Sequence, residues 1–287
     1  MSLNLEERLK RGEVIIMDGG TGTEIERRGV TMDDVTWSGT AVQTHPNIIR
    51  QIHEDYITAG ADIIITNTFS TGKHVLEPAG LGDQFESLNR QAVKLAQEAR
   101  DNVADRPIFI AGSISTFVAY DNWAARPTSA EAIANYREQA HILAEAGVDL
   151  IMLEMLKDIE HSRCAVEGAL TAGVPVWLGF SCKVIGNDIL LYKQENTLAE
   201  GLAAMTPLGG SLVAIMHSLI DYAEPALKLV ADTWAGPKGV YLHSGAFEMP
   251  IWQFDDIISP EDYAQRARKW VEYGYQVIGG CCGTTPE

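Results

Sequence analysis

The sequence predicts an α/β protein whose parallel sheet is closed into an eight-stranded (β/α)8 barrel, the TIM barrel. The first observation is a repeated unit, in which a glycine suited to a helix C-cap precedes a continuous apolar run, at 59–66, 146–153 and 172–178. Helices that alternate with fully buried strands are typical of parallel sheets. The second observation is the number of units, because eight in one chain favour a closed barrel over an open sheet. We expect residues 1–287 to form a single barrel domain.

The elements can be assigned in chain order. Helices are predicted between the strands, and the clearest covers 129–146, where Thr128 and Glu131 form a capping box. Another covers 259–273, with Ser259 as N-cap and proline in the first turn. No helix follows the last strand, so either an earlier helix at 3–11 helps to close the barrel or the chain is truncated. The eight predicted strands are 14–17, 62–66, 108–111, 150–153, 176–180, 212–216, 239–242 and 276–278.

The composition limits the classes of partner. A chain of 287 residues with 46% apolar residues can bury a sizeable core. A formal charge of -17 disfavours binding to nucleic acid or to an anionic membrane surface. The apolar runs are far shorter than the roughly 20 residues that span a bilayer. With four cysteines and no secretory leader, we expect a reduced, cytoplasmic protein.

Polar residues and a glycine-rich turn follow the predicted strands. A barrel of this kind carries its chemistry at the carboxyl ends of its strands, so these residues should meet at one rim. We expect Gly19, Thr68 and Ser113 to contact a substrate there. The other chemistry-bearing residues of the rim are Asp18, Glu154, His217, His243, Cys281 and Cys282.

Two acids of the rim are candidates for binding a cationic group. Asp18 either presents its carboxylate to such a group or caps the following helix. Glu154 follows four apolar residues, and an acid buried there without a partner would be costly, so it faces a ligand or a structural partner. The glycine-rich turn at 18–23 lacks the lysine of a phosphate-binding loop, which argues against a nucleotide site.

The adjacent Cys281 and Cys282 indicate a metal site or a reactive-thiol site. Glycines surround both cysteines, and close approach of a ligand to the backbone needs glycine more than core packing does. Core packing and a vicinal disulfide are the alternatives. Two thiolates are half of a tetrahedral zinc set, and a catalytic zinc needs a third protein ligand and one open position.

Several stretches resemble the homocysteine S-methyltransferase family, which includes the S-methylmethionine and betaine enzymes and the homocysteine half of cobalamin-dependent methionine synthase. They are 17–29 near the start, 66–69 and 180–182 in the middle, and the most specific, Gly-Gly-Cys-Cys-Gly, within 279–286. The resemblance covers nearly the whole chain. It implies a zinc-bearing barrel that binds homocysteine as a thiolate and methylates it, and so a role in methionine biosynthesis.

The resemblance also implies residue roles. Asp18 and Glu154 match the positions that hold the amino group of homocysteine, and Cys281 and Cys282 match two zinc ligands. Cys182 resembles a cysteine found outside the family's metal set.

The third zinc ligand departs from the family. Ser218 stands where the family has a cysteine, and a serine hydroxyl is a poor zinc ligand. Three outcomes stay open: His217 supplies a ring nitrogen, the metal binds weakly or not at all, or a residue from another loop replaces the cysteine. Strand alternation points His217 away from the barrel mouth unless the strand end bends. His243, where the family commonly has asparagine, could be an alternative ligand, a substrate contact or a donor behind the ligands.

The expected activity is transfer of a methyl group from a small donor to a zinc-activated amino-acid thiol. The donor could be S-methylmethionine, a betaine-like compound or a methylfolate. Rim aromatics could surround an onium group by cation–π contact, although scattered loop aromatics more often pack. Two alternatives are a zinc-free barrel acting on another small substrate and a non-catalytic ligand-binding protein. The rim aromatics are Phe117, Tyr120, Trp123, Trp252 and Phe254.

Overall fold

Eight parallel strands form one closed sheet in the structure, a computed structural model that describes residues 4–119 and 127–287. The barrel strands are β1 (Ile15–Ile16), β2 (Ile63–Ile65), β3 (Phe109–Ser115), β4 (Leu150–Leu156), β5 (Val176–Phe180), β8 (Leu212–Leu219), β9 (Lys238–His243) and β12 (Val277–Gly280). Two hairpins project from the barrel, β6 (Cys182–Ile185) with β7 (Asp188–Leu191), and β10 (Ala246–Glu248) with β11 (Ile251–Gln253).

The order of the strands around the sheet is β1-β12-β9-β8-β5-β4-β3-β2. A parallel bridge between Met17, directly after β1, and Ile63 of β2 joins the two ends of this order and closes the barrel. The predicted TIM barrel is therefore confirmed, and all eight predicted strands are present.

Helices surround the barrel between these strands. The prediction for 129–146 is confirmed together with its capping box, and the last helix begins after the side-chain cap of Ser259. The helices are α1 (Leu5–Lys10), α2 (Thr21–Arg27), α3 (Ala41–Thr44), α4 (Pro46–Ala59), α5 (Lys73–Leu76), α6 (Phe85–Val103), α7 (Ser129–Ala146), α8 (Ile159–Ala169), α9 (Leu198–Met205), α10 (Glu224–Thr233) and α11 (Pro260–Glu272). Among the described residues, no helix is both long and apolar enough to cross a membrane.

Helix α1 covers the amino-terminal end of the barrel. Leu5 and Leu9 are buried, and Arg8 forms an ion pair with Asp62, just before β2. The side-chain amide of Gln276, just before β12, donates to the carbonyl of Leu9. The first helix thus helps to close the barrel, at the end opposite the predicted site.

Several strands extend further at their carboxyl ends than the apolar runs predict. Strand β4 continues to Leu156 and β8 continues to Leu219 because each strand keeps pairing with a neighbour beyond a shift in register. Glu154 and His217, predicted to follow strands, therefore lie within bulged strand ends.

Candidate metal and amino-acid site

A cavity of about 280 Å³ opens at the carboxyl end of the barrel. It brings together the glycine-rich turn after β1, an aromatic wall and the predicted metal-binding residues. Its polar lining includes Glu154, Lys157, His217, Cys281 and Cys282.

A cluster of two thiols and one imidazole forms one side of the cavity. The Sγ of Cys281 lies 3.8 Å from Nδ1 of His217 and 4.0 Å from Sγ of Cys282. All three ligand atoms lie within 4.8 Å of one another. In a tetrahedral zinc site, Zn–S bonds of about 2.3 Å and Zn–N bonds of about 2.0 Å separate the ligand atoms by about 3.5–3.8 Å. Both the spacing and the soft donor set fit a Cys, Cys, His zinc site with a fourth position open to the cavity.

His217 faces the thiols because the end of β8 is bulged. Its backbone is left-handed, with φ at 40°, and the pairing of β8 with β9 shifts between Met216 and Leu219. The expectation that strand alternation points this ring away from the mouth is therefore wrong. The end of strand β8 bends, and this bend turns the His217 side chain towards the barrel mouth.

Ser218, predicted to stand at the position of the family's cysteine, directs its hydroxyl away from Cys281 and Cys282 and towards β6. Its hydroxyl accepts a hydrogen bond from the Cys182 amide at 2.9 Å and donates to the carbonyl of Met216 at 2.9 Å. The Sγ of Cys182 lies 3.4 Å from the same hydroxyl. Ser218 therefore ties β8 to the start of β6, and His217 occupies the place opposite Cys281.

Burial controls the protonation of the cluster. It lowers the pKa of His217 well below its ordinary value, and His243, Lys157 and Lys183 add to the effect, so the imidazole is neutral and able to bind a metal. The pKa of Cys282 is raised by its contact with Cys281 and by burial. A thiol in this environment ionises readily only with a cation beside it.

His243 packs behind the cluster. Its ring centroid lies 4.8 Å from that of His217 and 5.6 Å from that of Trp252. Burial lowers the pKa of His243 to about 4. Its Nδ1 atom is buried without a hydrogen-bond partner among the residues that the structure describes.

Two buried carboxyl groups lie near the cluster. Asp18 accepts a hydrogen bond from the Ile65 amide at 2.7 Å through Oδ2, while its Oδ1 has no partner in the described part of the chain. Glu154 accepts a hydrogen bond from the hydroxyl of Ser113. Burial raises the pKa of Glu154 to about 7, and burial together with the charge of Glu154 raises the pKa of Asp18 well above its ordinary value. Two such groups form a site prepared for a cation that would restore their ionised forms.

Ser113 and Thr68, expected to contact a substrate, lie behind the cavity wall. Both are fully buried, and the Thr68 hydroxyl donates to the Ser113 carbonyl at 2.7 Å. Together they hold the chain beside Glu154. Gly19, in contrast, lines the cavity as expected.

The glycines around the cysteines allow the first and last loops to pack closely, and two of them, Gly20 and Gly280, also line the cavity. A Cβ atom at Gly20 would lie 2.7 Å from the carbonyl oxygen of Cys281. A Cβ atom at Gly283 would collide with the carbonyl of Ser244, and the φ of Gly283 is +78°. The amide of Gly280 donates to the Asp18 carbonyl at 2.9 Å. The close packing of the first and last loops thus requires these glycines, and it sets the cysteines beside the carboxylates.

Comparison with known proteins agrees with this geometry. The family model described as homocysteine S-methyltransferase matches residues 15–287. The chain belongs to the homocysteine S-methyltransferase family.

Individual relatives of this methyltransferase resemble it along most of their length. It is 30% identical to the homocysteine S-methyltransferase YbgG of Bacillus subtilis, covering 96% of this chain and 91% of the relative. It is 29% identical to a selenocysteine methyltransferase of Astragalus bisulcatus, covering 96% and 90%. The crystal structure of the homocysteine methyltransferase MmuM from Escherichia coli in metallated form matches with a TM-score of 0.80 and 25% identity, over 98% of this chain and 96% of that one.

Aromatic rings form much of the wall of the methyltransferase cavity. Phe117 and Trp252 line it as expected, whereas Phe254 is exposed and does not. Tyr120 and Trp123 lie outside the described residues. Further rings in the wall went unrecognised in the sequence: Trp37, Phe69, Tyr192, Tyr241 and Phe247.

Part of the aromatic wall combines two loops, which carry Trp37 and Phe69, with the hairpin β10–β11, which carries Phe247 and Trp252. The ring of Trp37 meets Phe69 edge-on at 6.0 Å and Phe247 at 5.8 Å, and Phe247 stacks with Trp252 at 5.9 Å. Trp37 is itself held in a left-handed conformation, with φ at 49°. Its position after a polar turn in an otherwise irregular stretch gave the sequence no periodic signal for this contact.

Proposed function

We propose that this enzyme transfers a methyl group from a small donor to the thiolate of homocysteine or a related amino-acid thiol, with zinc held by Cys281, Cys282 and His217. One observation carries the proposal: a Cys, Cys, His cluster of zinc-like spacing lines the same cavity as the buried carboxyl group of Glu154. A second buried carboxyl group, that of Asp18, does not line the cavity but lies close enough to Glu154 for the two charges to interact. An amino acid with a side-chain thiol carries the two matching groups, an ammonium group for the carboxylates and a thiol for the zinc.

The bound zinc would supply a lowered pKa for the acceptor thiol, so that a thiolate is present at neutral pH. The protein's own residues would hold the rest of the acceptor. The ammonium group would bind between the Asp18 and Glu154 carboxylates, in a geometry that Ser113 fixes through its hydrogen bond to Glu154. Charge-assisted hydrogen bonds of this kind are the strong class.

The aromatic wall would receive the methyl donor. Ring faces around Trp37, Phe247 and Trp252 suit an onium group, whose positive charge is stabilised by cation–π contact. In the transfer, the acceptor sulfur forms a bond to the methyl carbon, the bond from that carbon to the donor's sulfur or nitrogen breaks, and the electron pair stays with the donor atom. Apolar walls keep water, a competing nucleophile, away from the methyl carbon.

The relatives support the choice of acceptor. Those compared above are homocysteine or selenocysteine methyltransferases by name, and the matching crystal structure is of a metallated form. A thiol or selenol on an amino-acid side chain is common to both names, and we propose homocysteine as the first acceptor to test. One barrel domain over residues 1–287 would carry the whole site.

The test is a methyl-transfer assay on purified, zinc-supplemented enzyme. Homocysteine is paired in turn with S-methylmethionine, betaine and methyltetrahydrofolate, and methionine is measured. We expect turnover with at least one donor and loss of more than about 100-fold in the Cys281→Ser, Cys282→Ser double variant. Cys164→Ser, on the outer helix α8, is the matched control and should retain activity.

Two results would contradict the proposal. Equal turnover in the double variant and the wild type would show that methyl transfer does not need the two cysteines or zinc, whereas no product from homocysteine together with turnover of another small molecule would favour a zinc-free barrel that acts on another substrate. Tight binding of methionine with no turnover from any donor would favour a ligand-binding protein without catalysis.

A further inference from the structure

The side chain of Met216 extends from β8 across the neighbouring strand towards β4. Between these strands lies β5, and Gly179 of β5 leaves the space that the side chain uses. A Cβ atom at Gly179 would lie 3.0 Å from Cγ of Met216 and 2.6 Å from the carbonyl oxygen of Leu153. The crossing therefore depends on glycine at this position.

The Met216 sulfur accepts two hydrogen bonds at the end of this crossing. The backbone amide of Met155 donates to Sδ at 3.2 Å, and the hydroxyl of Ser181 donates to it at 3.2 Å. Both contacts are buried, which gives a weak acceptor such as a thioether more influence than it has in water. A buried backbone amide that lost its acceptor would be destabilised.

The residues joined by this bridge adjoin the two halves of the proposed site. Met155 directly follows Glu154, and Met216 directly precedes His217. Met155 has φ at 56° and His217 has φ at 40°, both in the left-handed region that residues with a side chain seldom adopt. Each lies where its strand shifts register, so each half of the site rests on a strained bulge.

We infer that Met216 is a positioning residue that ties the amino-acid half of the site to the metal half. Its sulfur holds the amide of Met155 and so the bulge that presents Glu154, and its backbone leads into the bulge that presents His217. A displacement of either bulge moves the other, because one side chain spans both. The roles of Glu154 and His217 in this inference rest on the proposed function. The link between their two bulges rests only on the hydrogen bonds to the Met216 sulfur.

Met216 also lines the cavity, so its alternative role is to fill space beside a bound ligand. Leucine separates the two roles, because it is close to methionine in volume but has no acceptor atom. Met205 gives a matched control, since it is fully buried at the end of α9 and outside the cavity.

The experiment compares wild type, Met216→Leu and Met205→Leu in two measurements that need no turnover. Calorimetry of methionine binding to the metal-free protein reports the carboxylate half. The absorption spectrum of the Co²⁺-substituted protein reports the ligand geometry of the metal half. We expect Met216→Leu to weaken methionine binding about tenfold and to shift the Co²⁺ bands, with Met205→Leu unchanged in both.

Each other outcome overturns the inference. If Met216→Leu leaves either measurement unchanged, the bridge does not connect the halves. If Met205→Leu changes both as much, the effect is general loosening of the core. If wild type binds no methionine, the amino-acid role has failed separately, and an unchanged Co²⁺ spectrum in Met216→Leu then overturns the connection as well.

Discussion

At the residue scale, the site contains buried ionisable groups that lower the folding stability of the ligand-free protein at neutral pH. Glu154 is buried, and its pKa is raised from an ordinary value of 4.5 to about 7 because burial disfavours the charged form. The folded state therefore holds the proton more tightly than the unfolded state does. The stabilising contribution is present below about pH 4.5 and is lost as the pH rises through about 7.

We accordingly expect Glu154→Gln to stabilise the protein at pH 8 but not at pH 4.5. The difference between 4.5 and about 7 corresponds to about 3 kcal/mol. Denaturant unfolding at the two pH values measures it, with the exposed Glu272→Gln as control. A variant equally or less stable than wild type at pH 8 would show that Glu154 has a charged partner in the free protein.

The same carboxyl groups predict proton release on ligand binding. Methionine carries an ammonium group but no thiol, so its binding between Asp18 and Glu154 requires the carboxylates to ionise without adding a titrating sulfur. We expect protons to be released at pH 6.5, and the affinity to rise from pH 6 to pH 8. Calorimetry in buffers of different ionisation enthalpy measures the number of protons released when methionine binds. Binding without proton release would place the ammonium group elsewhere.

At the element scale, the hairpin β10–β11 is held over the cavity by helix α2. The backbone amide of Trp252 donates to both carboxylate oxygens of Glu26, at 3.0 and 3.1 Å, and its indole donates to the Ser244 carbonyl at 3.2 Å. The hairpin also carries Phe247 of the aromatic wall. Its position therefore depends on an acid that does not line the cavity.

We expect Glu26→Ala to raise the KM for the methyl donor about fivefold while kcat changes little. Loss of about 1 kcal/mol of hydrogen bonding lets the hairpin move away from the donor. Glu26→Gln retains an acceptor and should lie between wild type and Glu26→Ala. Steady-state kinetics with varied donor gives the comparison. A fall in kcat with an unchanged KM would mean that the hairpin acts on the chemical step instead.

The elements themselves were largely predictable from the sequence, and the bulges were not. Apolar runs and glycine C-caps identify all eight strands, because burial on both faces leaves a continuous pattern. The left-handed backbone of His217 depends on pairing between β8 and β9, so no local pattern reports it. For the same reason the sequence did not show that the Ser218 hydroxyl, predicted at the position of the family's cysteine, accepts a hydrogen bond from the Cys182 amide.

At the scale of the whole molecule, the barrel brings the two ends of the chain into one site. The parallel pairing of β1 with β12 sets the turn after Asp18 against Cys281 and Cys282. Sequence predicted this meeting because both stretches follow barrel strands. The aromatic wall could not be predicted in the same way, since Trp37 and Phe69 lie in irregular loops and Phe247 lies in the hairpin β10–β11, outside the repeated pattern of the barrel.

The zinc content of protein purified under reducing conditions tests most directly whether the closed barrel carries a Cys, Cys, His zinc site. Near one zinc per chain is expected in wild type and in Ser218→Ala. Background is expected in the Cys281→Ser, Cys282→Ser double variant, and a marked loss in His217→Ala. Zinc in wild type no higher than in the double variant would contradict the account.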